Sequence, residues 1–202
     1  MGLFTEYSID PQELPTYEFL MELVLQKTAN NVGREQVEQL MSEIAYHESR
    51  GMPEAIQDSQ HWGDDGFANL YTEADRFYEG PGRGLYQYEL ETLGGSGAGR
   101  TAMQRLFNIV GGKNLPAWAS HYFEGGTSVQ KDVDFSELNE DQQKILFLAD
   151  KLQDNIDAYG KKNIEQIGIL SNAEWWAAFH HKGQESNIAG FEKDAARYRK
   201  NK

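Results

Sequence analysis

Cysteine is absent from the 202 residues, so no disulfide framework and no thiolate-held metal site can form. Basic side chains are scarce as well: 19 Lys and Arg stand against 32 Asp and Glu, for a net charge of -13. That balance repels nucleic acid phosphates and anionic lipid, and no nucleic-acid partner is expected. Long apolar runs are also missing. The most apolar stretches, Phe19 to Leu25 and Ile145 to Ala149, fall far short of the roughly 20 residues that span a bilayer, so no membrane insertion is expected. The opening MGLFTEYSIDPQELP lacks the basic start, apolar stretch and small-residue cleavage site of a signal peptide, and Glu6 interrupts a myristoylation pattern. No export signal is expected. What is present, 39% hydrophobic, 12% aromatic and 25% charged residues, is a globular composition, and the length predicts one domain over 1–202.

Helical spacing of apolar residues predicts helices over 15–28 and 34–50, separated by the break Asn30-Asn31-Val32-Gly33. From Gly51 to Gly99 the periodicity is lost, which predicts loops with a short hairpin near Phe67 to Tyr71. Helical patterning returns at 101–110 and fails again through the polar, glycine-rich 111–138. Asn139 and Gln142 have capping-box spacing ahead of the stripe Ile145, Leu148, Ala149 and Leu152, predicting a helix that runs on to Gly160. Two further helices are predicted, at 172–182 and 188–199. The fold class is therefore mainly α, with an irregular loop and short hairpin inserted.

Within the second helix Val37, Leu40, Met41, Ile44 and Ala45 form the buried stripe, and the next position on that face is Glu48. Two readings follow. Because Gly51 and Pro53 come at once, the helix can simply end here with Glu48 in water. Alternatively, Glu48 projects into a cleft with apolar walls, where desolvation favours the neutral acid and makes it a proton donor suited to glycoside cleavage.

Three motifs bear on that choice. His47-Glu48-Ser49-Arg50-Gly51 with Pro53-Glu54-Ala55, then Gly84-Leu85-Tyr86-Gln87, then Ala177-Ala178-Phe179-His180, resemble in order and spacing the three motifs of the lytic transglycosylases. That family has the lysozyme-like fold also seen in goose-type lysozymes, and the resemblance spans about 34–185. It implies that Glu48 is the catalytic acid and that Ser49 positions it or the sugar. It implies too that Leu85, Tyr86 and Gln87 line the cleft, Tyr86 stacking on a sugar face and the Gln87 amide bonding an N-acetyl group or hydroxyl. In the third motif Phe179 stands where the family has tyrosine and His180 where it has asparagine, and one extra residue precedes Gly183. A shifted register instead puts His180 and His181 at those two positions; the first register keeps Ala177-Ala178 matched. As a cleft wall Phe179 competes with ordinary core packing, and Trp176 is expected in the core.

The resemblance implies cleavage of peptidoglycan between N-acetylmuramic acid and N-acetylglucosamine with a 1,6-anhydro product, one carboxylate, and neither metal nor cofactor. A lysozyme-like hydrolase would need a second carboxylate, for which Asp58, Asp64, Asp65, Asp75 and Glu79 are candidates. A noncatalytic glycan-binding or structural protein is the alternative from another class, favoured by the altered third motif. Without an export signal, a bacteriophage protein is expected: a virion component beside other virion proteins, or a lysis enzyme made in the host cytoplasm and acting at the wall.

Other motifs fall away on inspection. The pair His47-Glu48 starts like a zinc-protease helix, but the second histidine of that motif would stand where Gly51 is, and the five histidines include no pair at metal-ligand helical spacing. Asp132-Val133-Asp134-Phe135-Ser136 begins like a calcium loop, yet Glu137 occupies the glycine position, so a solvated loop is expected. Gly80 to Gly84 and Gly94 to Gly99 lack the Lys-Ser/Thr of a phosphate-binding loop.

Overall fold

A computed structural model describes residues 13–29, 32–62, 68–71, 79–153, 155–181 and 185–202. The chain is mainly helical with a small antiparallel sheet, as the periodicity predicts. The described residues form two compact units, one within Met1–His47 and Lys151–Lys202 and the other within Glu48–Asp150.

The first unit is helical. Helix α1 (Leu14–Lys27) starts with Pro15 in its first turn, where the missing N–H costs nothing. It buries Tyr17, Leu20, Met21 and Val24, one stripe at helical spacing. Helix α2 (Arg34–Ser49) buries the Val37, Leu40, Met41, Ile44 and Ala45 stripe. Inside this unit Glu43, fully buried, accepts from Gln39, Asn172 and Arg199 at 2.8, 2.8 and 2.6 Å. Helices α6 (Asn172–Trp175) and α7 (Ile188–Asn201) belong to the same unit. A capping box between Ser171 and Glu174 starts α6. The helix then widens into a π-helical turn over Trp176–His180, where His181 N–H donates to Trp176 O, five residues back, at 2.9 Å.

The second unit holds the sheet, with strands β1 (Ile56–Trp62), β2 (Ala68–Tyr71), β3 (Glu79–Arg83) and β4 (Tyr88–Glu89) in the order β2-β1-β3-β4, all pairs antiparallel. Among the described residues the hairpin expected near 67–71 is present as β1 and β2, and β3 and β4 extend it into a sheet where loops were expected. Strand β1 is rich in Gln, Asp and Ser, which sheet propensity disfavours, and β3 reads Glu-Gly-Pro-Gly-Arg, the composition of a turn. Pairing overrides both. Ile56 pairs with Arg83 and Asp58 with Glu79, so two steps on β1 face four on β3, and Pro81, which has no N–H to give, sits inside that bulge.

Helix α3 (Ala98–Val110), the short α4 (Ala117–Ser120) and α5 (Glu140–Leu152) complete the unit, though α5 ends in the first one. The predicted capping box is present, Asn139 Oδ1 accepting from Gln142 N–H at 2.9 Å and Gln142 Oε1 from Asn139 N–H at 3.1 Å. The helix stops at Leu152 instead of Gly160. Asp157 Oδ1 takes the N–H groups of Tyr159 and Lys161 at 2.8 Å each, a local turn that competes with helical bonding. The segment 132–136 is no solvated loop: Val133 and Phe135 are buried, and Asp134 caps the turn that follows by accepting from Ser136 N–H at 2.8 Å.

Candidate functional site

The end of α2 is shaped by two consecutive left-handed residues, Arg50 at φ 57° and Gly51 at φ 76°. Glycine takes this conformation freely, whereas for an L-residue such as Arg50 it costs roughly 1–2 kcal/mol. Glu48 sits half-buried on the last turn and Ser49 is fully buried. The chain then folds back in short turns, Met52 N–H donating to Ser49 O at 3.1 Å and Ala55 N–H to Met52 O at 3.2 Å.

The 84–87 turn is fastened to this segment. Gly84 N–H donates to Ala55 O at 2.7 Å. Gln143, fully buried, accepts from Leu85 N–H at 2.7 Å and donates through Nε2 to Pro53 O at 2.8 Å and Leu138 O at 2.9 Å. The first two motifs thus meet inside one unit. Gly84 lies at φ 69°, and a side chain there would collide with the Gln143 amide and come within 2.8 Å of Phe135 Cβ. Gln87 is also left-handed, at φ 48°, with its Nε2 donating to Gly84 O at 2.8 Å. Its Oε1 is buried without a hydrogen-bond partner among the described residues.

Leu85 and Tyr86 do not line a cleft. Tyr86 is 2% exposed and stacks on Phe147 with ring centroids 4.3 Å apart, so it presents no face to a sugar. The apolar side chains of this turn anchor it in the core, while Gln87 is half-buried. Tyr88, next along, stacks on Phe135 at 4.4 Å and donates its hydroxyl to Asp150 at 2.8 Å. Burial, then the Asp150 carboxylate, pushes its phenol well above the usual range, so it stays a donor. Arg105 pairs with the other oxygen of Asp150. Arg83, fully buried, donates to Gly82 O at 2.9 Å and stands 3.4 Å from Asp134.

The third motif belongs to the helical unit. Trp176 is in the core as expected. Phe179 is 2% exposed beside Trp175, with ring centroids 5.7 Å apart, so it too is core and not cleft wall. His180 is half-buried and His181 exposed, the latter ring 5.6 Å from Trp176. His47 Nδ1 donates to Asp194 Oδ2 at 3.0 Å, with the imidazole edge-on to Trp176 at 4.7 Å.

Of the second-carboxylate candidates, Asp64, Asp65 and Asp75 lie outside the described residues. Asp58 and Glu79 are paired in the backbone register of β1 and β3, with their side chains outside the described part. Among the described residues no group of three His, Asp or Glu gathers to hold a metal ion, and no helix is long and apolar enough to cross a membrane.

Gln143 escaped the motif reading. Its one sequence signal is position: it stands three and four residues before Leu146 and Phe147, a polar side chain on a buried face. No family model, curated protein or solved structure matches the chain.

Proposed function

We propose that the protein is a peptidoglycan lytic transglycosylase with a lysozyme-like fold, in which Glu48 is the acid. One observation carries the reading. Two of the three non-glycine residues with left-handed backbone among the described residues, Arg50 and Gln87, belong to the first two motifs, and the bond from Gly84 N–H to Ala55 O, together with those of the Gln143 amide, holds those motifs together. Backbone strain persists only where its surroundings over-determine it, and it collects at sites of function.

In this reading Glu48 gives its proton to the oxygen linking N-acetylmuramic acid to N-acetylglucosamine as the C1–O bond breaks. The resulting carboxylate takes the proton of the muramic acid 6-hydroxyl, whose oxygen bonds to C1. The product is a 1,6-anhydro sugar, Glu48 regains its proton, and no water is consumed. Gln87, half-buried and tied through its side-chain nitrogen to Gly84 O, is in this reading the residue of the second motif that meets the sugar. His180 and His181 carry the polar groups of the third motif, since Phe179 has none. The acidic composition gives no attraction to an anionic wall, which suits delivery by a virion beside other particle proteins.

Mass analysis of muropeptides released from purified sacculi tests the proposal. Anhydro ends support it. Reducing ends, heavier by one water, replace it with the hydrolase, and no release from a folded protein replaces it with a glycan-binding or structural role.

A further inference from the structure

We infer that Gln143 is the positioning residue of this site: its buried amide sets the spacing between the end of α2 and the 84–87 turn, and so between Glu48 and Gln87. The inference rests on the transglycosylase reading. Every valence that Gln143 directs at these segments ends on main chain, with the acceptor on Leu85 N–H and the two donors on Pro53 O and Leu138 O. Because the side chain is fully buried, water cannot replace those bonds, and an apolar residue of similar volume would leave three main-chain groups unpaired.

The same amide accounts for Gly84. A Cβ at that position would collide with the Gln143 oxygen, so the glycine of the second motif is required by the clamp as well as by its φ. From Gly84 the links run through Ala55 O and Met52 O to Ser49 O, the neighbour of Glu48. Beside the flanking Ile56–Arg83 pairing of β1 and β3, two hydrogen-bonded fastenings join segment 53–55 to turn 84–87 among the described residues, the Gly84–Ala55 bond and Gln143. Losing the second lets the turns shift while the helices stay folded. A misplacement of about 1 Å costs on the order of a hundredfold in rate.

The test uses the full chain carrying Gln143→Met or Gln143→Glu. The glutamate keeps an acceptor for Leu85 N–H but has no donor for Pro53 and Leu138, and it serves alone if the methionine variant does not fold. Met103→Ala, a core truncation in α3, is the control for lost stability. On purified sacculi, kcat for anhydromuropeptide release should fall about a hundredfold with KM within about threefold, while the control keeps kcat within about twofold. Amide hydrogen exchange supplies a readout independent of turnover. It should accelerate at least about tenfold at Ser49, Met52, Ala55, Gly84 and Leu85, and not in α3. A loss of kcat no greater than the control's, or exchange that rises uniformly over the unit, overturns the inference. If wild-type protein releases nothing from sacculi, the transglycosylase reading falls and the exchange pattern alone decides the clamp.

Discussion

The two units keep their shape by different means. In the helical unit, apolar stripes and caps agree with one another: α1 and α2 bury regular faces, Ser171 and Glu174 cap α6, and the buried Glu43 is satisfied by three neighbours. In the unit of 48–150, irregular segments are held by single polar side chains that grip main chain. Gln143 holds Pro53, Leu85 and Leu138, Gln57 holds Gly82 at 3.2 Å, and Arg83 holds Gly82 O. The first device makes a scaffold that tolerates local change. The second fixes turns that have little stability of their own, which is what a preformed site needs.

That contrast breaks most sharply at Glu48. Glu48→Gln should lower wall cleavage by on the order of 10²–10⁴-fold, the contribution of a general acid, with an unchanged melting temperature. Wild-type turnover by the purified variant would remove Glu48 from the chemistry and, with it, the functional difference between the units. The next effect in size belongs to Gly84. Gly84→Ala meets both a left-handed φ and the Gln143 amide, and should cost roughly 2–4 kcal/mol in chemical denaturation as well as activity. A loss within about 0.5 kcal/mol would mean that the turn is not gripped as described.

Legibility in the sequence follows the same division. The α2 stripe, its end near Gly51 and the Asn139–Gln142 capping box are local patterns whose physics is complete within a few residues, and the structure contains each of them. The sheet was not legible, because β1 and β3 exist through pairing partners and not through the propensities of Gln57, Asp58, Gly80 or Pro81. At the site, the resemblance joins three motifs, and the structure brings the first two together within one unit. Sequence order could not separate Gln87, half-buried, from Leu85 and Tyr86, which are core, because all three stand in one short motif and only tertiary packing, such as Tyr86 on Phe147, distinguishes them. Gln143 was invisible for the opposite reason: two of its three main-chain partners, Leu85 and Pro53, are 58 and 90 residues away.

In the helical unit a change of similar chemical violence should touch stability alone. Glu43→Ala strips the acceptor from Gln39, Asn172 and Arg199. Because the Arg199 side chain is about half exposed, water takes over that partner, and the loss should be about 1–3 kcal/mol. Cleavage per folded molecule should stay at the wild-type level. A fall in kcat at temperatures where the variant is fully folded would show that the scaffold and the site are not separable in this way.

The smallest effect concerns the cap of α6 and its response to pH. Glu174 is exposed, and the backbone N–H of Ser171, followed by its hydroxyl, holds the carboxyl below the usual range. A carboxylate with a depressed folded pKa adds stability that is fully present above the unfolded value, near 4.5, and is lost as pH falls through the lower folded value. Solvent screening at this exposed position limits the charge-dependent part to a few tenths of a kcal/mol. Glu174→Gln keeps an oxygen acceptor for Ser171 N–H and removes only the charge. The wild type should therefore exceed the variant slightly at pH 7, and the two should converge as pH falls below the folded value. Ser171→Ala, which removes the cap itself, should cost about 1 kcal/mol at either pH. A Glu174→Gln difference that stays constant from pH 7 to below the folded value would show that the cap acts without its charge, and the helical unit would then carry no acid-sensitive contribution at this helix end.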